Sequence, residues 1–139
     1  GVEMTAHSYN STTKVGVMTF SGDVKKVPSG GFNGNANLIT ISLPETVTII
    51  YGNAFKNCTA LTEITIPASV GKINSEAFSG CTMLANVYCK STTPPTLGDK
   101  AFENNASGRK IYVPATGDDS VLNAYKTAWS AYAADIAEE

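Results

Sequence analysis

Few side chains in this 139-residue chain have types and spacings that could do chemistry. The single histidine is His7, and the cysteines are Cys58, Cys81 and Cys89. A Cys–His nucleophilic pair would need one of these thiols held beside His7. Cys58 and Cys81, however, each stand three residues after a phenylalanine, in equivalent slots of a repeated pattern. No spacing of His, Cys and carboxylates matches a metal site. Asp118 and Asp119 beside Gly117 could form a cation loop, but an acidic pair opening a helix is favoured by the helix dipole and accounts for them more simply. The glycines of Gly30-Gly31-Phe32-Asn33-Gly34 lack the Lys-Ser/Thr of a phosphate loop and read as turn residues. The chain is therefore read as a non-enzyme, with no catalytic residue, metal or cofactor.

The elements that carry these residues repeat. Phe32 returns as Phe55, Phe78 and, one residue late, Phe102, each after a small residue: Gly31, Ala54, Ala77 and Ala101. Leu38, Leu61 and Leu84 follow at one fixed offset, and Ile41, Ile64, Val87 and Ile111 at another. One interval upstream lie Tyr9, Val15, Met18, Phe20, Val24 and Val27. A period in the twenties marks a stacked solenoid, since one such unit cannot bury its apolar face alone. The reading is a single domain over 1–139, with coils beginning near 9, 32, 55, 78 and 102.

Each unit carries a Leu-x-x-Ile-x-Leu run whose alternation marks a strand with one buried face. Pro44, Pro67 and Pro114 end these strands by removing a backbone donor. The return limb buries residues at intervals of three, as in Val47 and Ile50 or Val70 and Ile73. Strands one repeat apart must run parallel, so the expected fold is a right-handed coil with a parallel sheet on one side and short, irregular return limbs. Asn35, Cys58, Cys81 and Asn105 share one slot, where small polar groups could satisfy backbone at the inner bend. In the third unit Lys90 replaces the proline and a bulge, Ser91-Thr92-Thr93-Pro94-Pro95, follows, with Leu97 kept in the apolar slot. After Pro114 the repeat stops. Ser120 is placed to N-cap a helix running to about 136, with Val121, Tyr125, Ala128, Trp129, Tyr132 and Ile136 on one face. That helix would cover the last coil, with Trp129 as its anchor.

Composition narrows the function classes. Net charge is −2 and only 16% of residues are charged, so no basic surface offers itself to nucleic acid. Thr, Ser and Asn take the place of charge, a neutral polar surface common on exported proteins. No stretch approaches the roughly 18 apolar residues of a membrane helix, so membrane insertion is not expected. No signal sequence or anchor is visible in the chain.

The units Ala54-Phe55-Lys56-Asn57-Cys58-Thr59-Ala60-Leu61-Thr62-Glu63-Ile64-Thr65-Ile66-Pro67 and Ala77-Phe78-Ser79-Gly80-Cys81-Thr82-Met83-Leu84 resemble BspA-like leucine-rich repeats. The closing Ile111-Tyr112-Val113-Pro114, Tyr125-Lys126 and Trp129-Ser130-Ala131-Tyr132 resemble the last segment of family members from gut and oral anaerobes. The resemblance covers about residues 7 to 136 and implies a leucine-rich-repeat fold. It also implies an extracellular or cell-surface location and, in some members, adhesion to host or bacterial surfaces. The family has no catalytic residues to carry over.

The outward face of the parallel sheet is thus the candidate site. Side chains between buried strand positions form columns across successive coils: Thr40, Glu63, Asn86 and Lys110 in one, and Thr19, Ser42, Thr65, Tyr88 and Tyr112 in the next. The face turns aromatic and basic toward its C-terminal end, where Arg109 flanks the columns. Glu63, Asn86, Tyr88, Arg109, Lys110 and Tyr112 are the expected ligand-binding residues, the partner being a protein or glycan of a host or bacterial surface. The alternative is a spacer that displays another part of a longer surface protein and binds nothing itself.

Overall fold

The computed structural model describes residues 4–10, 12 and 15–139, and the side chains of Asn10, Thr12 and all residues from Ser21 onward. Two parallel sheets carry the repeat. One contains β5 (Glu63–Ile66), β7 (Asn86–Cys89) and β9 (Lys110–Val113), paired so that Ile64, Val87 and Ile111 lie side by side. All three are buried, as the alternation requires. The other corrects the expected irregular return limbs: it runs along them through the two-residue strands β3 (Lys26–Val27), β4 (Ile49–Ile50), β6 (Lys72–Ile73) and β8 (Thr96–Leu97), aligning Val27, Ile50, Ile73 and Leu97. Leu97 keeps its slot, so the extra residue of the third unit is absorbed between Lys90 and Pro95.

A third ladder turns the corner at the phenylalanines. Phe32, Phe55 and Phe78 donate their amide N–H groups to the carbonyls of Ala54, Ala77 and Ala101 at 2.7–2.8 Å. Their rings stack with that of Phe102 at centroid spacings of 5.0, 5.1 and 5.3 Å, nearly parallel. The small residue before each Phe follows from this packing: Ala54, Ala77 and Ala101 are fully buried, without room for more. The sharp bend needs left-handed backbone at two places per unit. Gly30, Asn53, Glu76 and Lys100 take it two residues before the Phe, and Gly34, Asn57, Gly80 and Asn104 two residues after. A Cβ in this conformation costs roughly 1–2 kcal/mol, while glycine adds only about 0.5–1 kcal/mol of lost chain entropy. Lys100→Gly should therefore raise stability by about 0.5 kcal/mol, visible as a higher melting temperature. Its loose contact with Glu103, at 3.8 Å on the surface, adds little to oppose this.

The shared polar slot works as expected. Cys58 donates its S–H to the carbonyl of Phe32 and Cys81 to that of Phe55, both at 3.0 Å, and Asn105 Nδ2 donates to Phe78 O at 2.8 Å. Asn35 is the exception: it stays exposed and its side chain accepts only from Asn37 N–H in its own loop. Hydroxyls form a parallel series: Thr46 donates to Val24 O and Ser69 to Val47 O. Part of the Thr and Ser content is thus structural, which weakens the compositional sign of export. All three thiols are free and buried. Burial, then the neighbouring Cys58, pushes the Cys81 thiol up to about 12, and burial does the same at Cys89. Burial also raises Cys58. A thiol-specific reagent should label none of the three until denaturant is added; rapid labelling of Cys58 and Cys81 would disprove the ladder. Serine should be tolerated at Cys81 better than leucine, because the slot is small and its partner is a carbonyl.

Two regions depart from the repeat. Residues near Tyr9 should begin a coil, but β1 (Met4–Asn10) and β2 (Val15–Phe20) form an antiparallel hairpin. The side chains of Tyr9, Val15, Met18 and Phe20, and of His7, lie outside the described residues. Next, the run around Ile41 forms no strand. Thr62 N–H reaches Ile39 O, but no ladder develops, and Leu38, Ile41 and Leu43 stay half-buried against the core. Ile41 therefore does not join the buried column of Ile64, Val87 and Ile111. The strand that would flank it upstream, β2, is paired with β1 instead, so this run lacks a partner on one side.

The C-terminal end is capped by more than a helix. Helix α1 covers Ser120–Ala128, a 3-10 turn covers Ser130–Asp135, and β10 (Ile136–Glu138) then joins the sheet parallel to β9. The expected helix to residue 136 is thus replaced in its last part by a strand, because the open edge of β9 offers backbone partners that a helix would leave unpaired. Ile136 extends the buried column beside Ile111. Ser120 is also not the N-cap. Asp119 holds that position with left-handed backbone, and the Asp118 carboxylate accepts from Ser120 N–H and Oγ and from Thr116 Oγ1. These hydroxyl and amide bonds hold the Asp118 carboxyl down at about 2.

Candidate functional site

Strand pairing builds the face that carries the expected site. Glu63, Asn86 and Lys110 lie in register across β5, β7 and β9, and Thr65, Tyr88 and Tyr112 form the adjacent row. The Tyr88 and Tyr112 rings stack at 5.2 Å with 14° between their planes. Both remain partly exposed, while Glu63 and Lys110 are exposed. Residues up to two repeats apart in sequence are thus brought together on one surface.

Arg109 is not among them. It is 7% exposed and packs inward under the cap, its guanidinium 5.0 Å from the Tyr132 ring centroid and 5.8 Å from that of Phe102. One Nη1 donates to Phe102 O at 2.6 Å and to Asn105 Oδ1 at 3.1 Å; Nη2 is held by the Asp135 carboxylate. The physical reason lies in the ladder. Phe32, Phe55 and Phe78 each give their carbonyl to a polar residue of the next unit, but Phe102 has no next unit. Arg109 supplies the missing donor. Tyr132 supplies the missing acceptor, taking the Phe102 N–H on its hydroxyl at 3.2 Å. Tyr125 Oη and Trp129 Nε1 likewise donate to Ser91 O and Pro95 O in the bulge, each at 2.9 Å. Trp129 is 2% exposed, so it anchors the cap and is closed to ligands.

Two residues beside the face were not among the expected ligand-binding residues. Lys90, in the slot where the repeat has proline, pairs with Glu139 at 2.7 Å and lies 5.8 Å from the Tyr88 ring centroid. The missing proline was the signal for Lys90; the Glu139 contact depends on β10, which periodicity does not reveal. The charge of the face changes accordingly. Arg109 is neutralised by Asp135 and Lys90 by Glu139, leaving Lys110 and Glu63 as opposite charges without an ion pair among the described residues. Among the described residues no cluster of His, Cys, Asp and Glu could hold a metal, and no helix is long and apolar enough to cross a membrane.

Parallel strands stacked in register, a phenylalanine spine and a built end cap define a repeat protein. A family model described as BspA type leucine rich repeat region matches residues 3–128 in six copies, and the chain belongs to that family. The match spans the N-terminal hairpin and α1, and its six copies exceed the five coil starts expected from the phenylalanine spacing. Comparison with curated proteins gives no match. Membership makes this a repeat module of a kind suited to surface and protein interaction, typically non-enzymatic.

Proposed function

We propose that the domain is an extracellular or cell-surface adhesion module whose sheet face around Tyr88 and Tyr112 binds a protein or glycan on a host or bacterial surface. Its sheets are taken to wind as a right-handed solenoid with units beginning near 32, 55, 78 and 102, the hairpin standing where a unit near 9 is expected. The observation that carries the reading is the stacked, partly exposed tyrosine pair. Such a pair stabilises neighbouring strands, but it also offers rigid contact area at little entropic cost, as interface tyrosines do. Glu63, Asn86 and Lys110 supply polar groups beside it, while Arg109, buried under the cap, serves the fold instead. A single contact of this size would be modest and would gain from many copies on one surface.

A Tyr88→Ala, Tyr112→Ala double variant that melts near the parent temperature should lose most retention on matrix-coated or cell surfaces. Equal retention by parent and variant would favour the spacer reading, in which the domain displays another part of a longer protein.

A further inference from the structure

The geometry points to an uncharged glycan as the partner of this face, bound with a sugar ring on Tyr112 and its hydroxyls on Asn86, Lys110 and Glu63; this rests on the adhesion reading above. Size argues first. Four strands about 4.8 Å apart and about four residues of ~3.3 Å rise enclose on the order of 200 Å². A standard protein interface takes about 800 Å² from each partner. The face is thus small for a protein and suited to one or two sugar residues.

Chemistry agrees. Tyr112 has the Tyr88 ring against one face, and its strand neighbour on the other side is Ala137, whose single methyl is too small to cover a ring; Tyr112 stays partly exposed. An open aromatic face suits the C–H side of a pyranose, which is apolar although its rim is hydroxylated. The adjacent row, Glu63, Asn86 and Lys110, holds an acceptor, a donor–acceptor amide and a donor in register. None of these three side chains has a hydrogen-bond partner among the described residues. Charge then selects within glycans. With Lys90 paired to Glu139 and Arg109 buried on Asp135, the opposed Lys110 and Glu63 leave no net positive field for a sulfated or uronic polymer.

The test titrates the intact domain with neutral gluco-, manno- and galacto-oligosaccharides and N-acetyllactosamine, with heparin as the charged comparison, following the Tyr88 and Tyr112 ring signals by NMR. At least one neutral glycan should move both. Tyr112→Ala should weaken it about tenfold and Asn86→Ala a few-fold. Raising salt from about 0.05 to about 0.5 M should change affinity less than about twofold. If Tyr112→Ala misfolds, Asn86→Ala and Lys110→Gln should each still weaken binding a few-fold. Binding to heparin alone, or to no neutral glycan, overturns the inference. So does undiminished retention on surfaces enzymatically stripped of glycans when the double tyrosine variant is not retained, an outcome that leaves the adhesion reading standing. Undiminished retention of that double variant sinks both.

Discussion

Arg109→Ala should cost about 3–4 kcal/mol, far more than a surface arginine. The loss has three parts. The Phe102 carbonyl loses its donor at 2.6 Å in a buried setting, the Phe102 and Tyr132 rings lose the guanidinium between them, and Asp135 loses its partner. The parts can be ranked. Asp135 is 37% exposed, so water screens its half of the pair, and Asp135→Asn should cost only about 1 kcal/mol. Arg109→Lys should rescue little, because one ammonium cannot bond Phe102 O and Asp135 together while lying flat against rings. Denaturant midpoints of the three variants decide this. If Arg109→Lys equals wild type, charge alone matters and the ladder-closing role is wrong.

That role marks where sequence reasoning stops. Residues inside the repeat are legible because each has an equivalent in the next unit. The slot of Cys58 and Cys81 could be assigned from Asn35 and Asn105, and the register of Tyr88 on Tyr112 from one repeat step. Arg109 stands in the same slot as Ile39, Thr62 and Ala85, so periodicity alone places it at the edge of the sheet face. What turns it inward is the absence of a following unit, a boundary effect with no precedent earlier in the chain. The last segment misleads for a related reason. Trp129, Tyr132 and Ile136 keep helical spacing, yet Trp129 closes α1, Tyr132 lies in a 3-10 turn and Ile136 in a strand. Apolar spacing records which residues face the core and is blind to how the backbone reaches it. At the other end, the Leu38–Leu43 alternation reads as a strand, but a strand needs a neighbour, and β2 is engaged elsewhere. The tyrosine pair was legible; the charge balance beside it was not, since it depends on Glu139 and Asp135, contributed by the cap.

Phe78→Ala should be the most damaging single truncation in the spine, at about 3–5 kcal/mol. Its ring lies between those of Phe55 and Phe102, with centroids 5.1 and 5.3 Å away, and is fully buried. No neighbour is free to fill the space. Phe55 is held by its backbone ladder and Phe102 by the side chains of Tyr132 and Arg109, and Ala77 and Ala101 are already packed. Phe32→Ala should cost less, about 1–2 kcal/mol, because that ring is half-buried and stacks on one side only. The contrast tests more than cavity size. In a repeat protein each unit is stabilised by its neighbours, so a weak joint in the middle separates two blocks while a weak joint at the end frays one. Phe78→Ala should therefore broaden the urea transition, with amides before Ala77 exchanging at a different midpoint from those after Phe102. Phe32→Ala should leave the transition single and merely shift it. A single, steep transition in Phe78→Ala would mean that the two sheets, not the phenylalanine spine, couple the units.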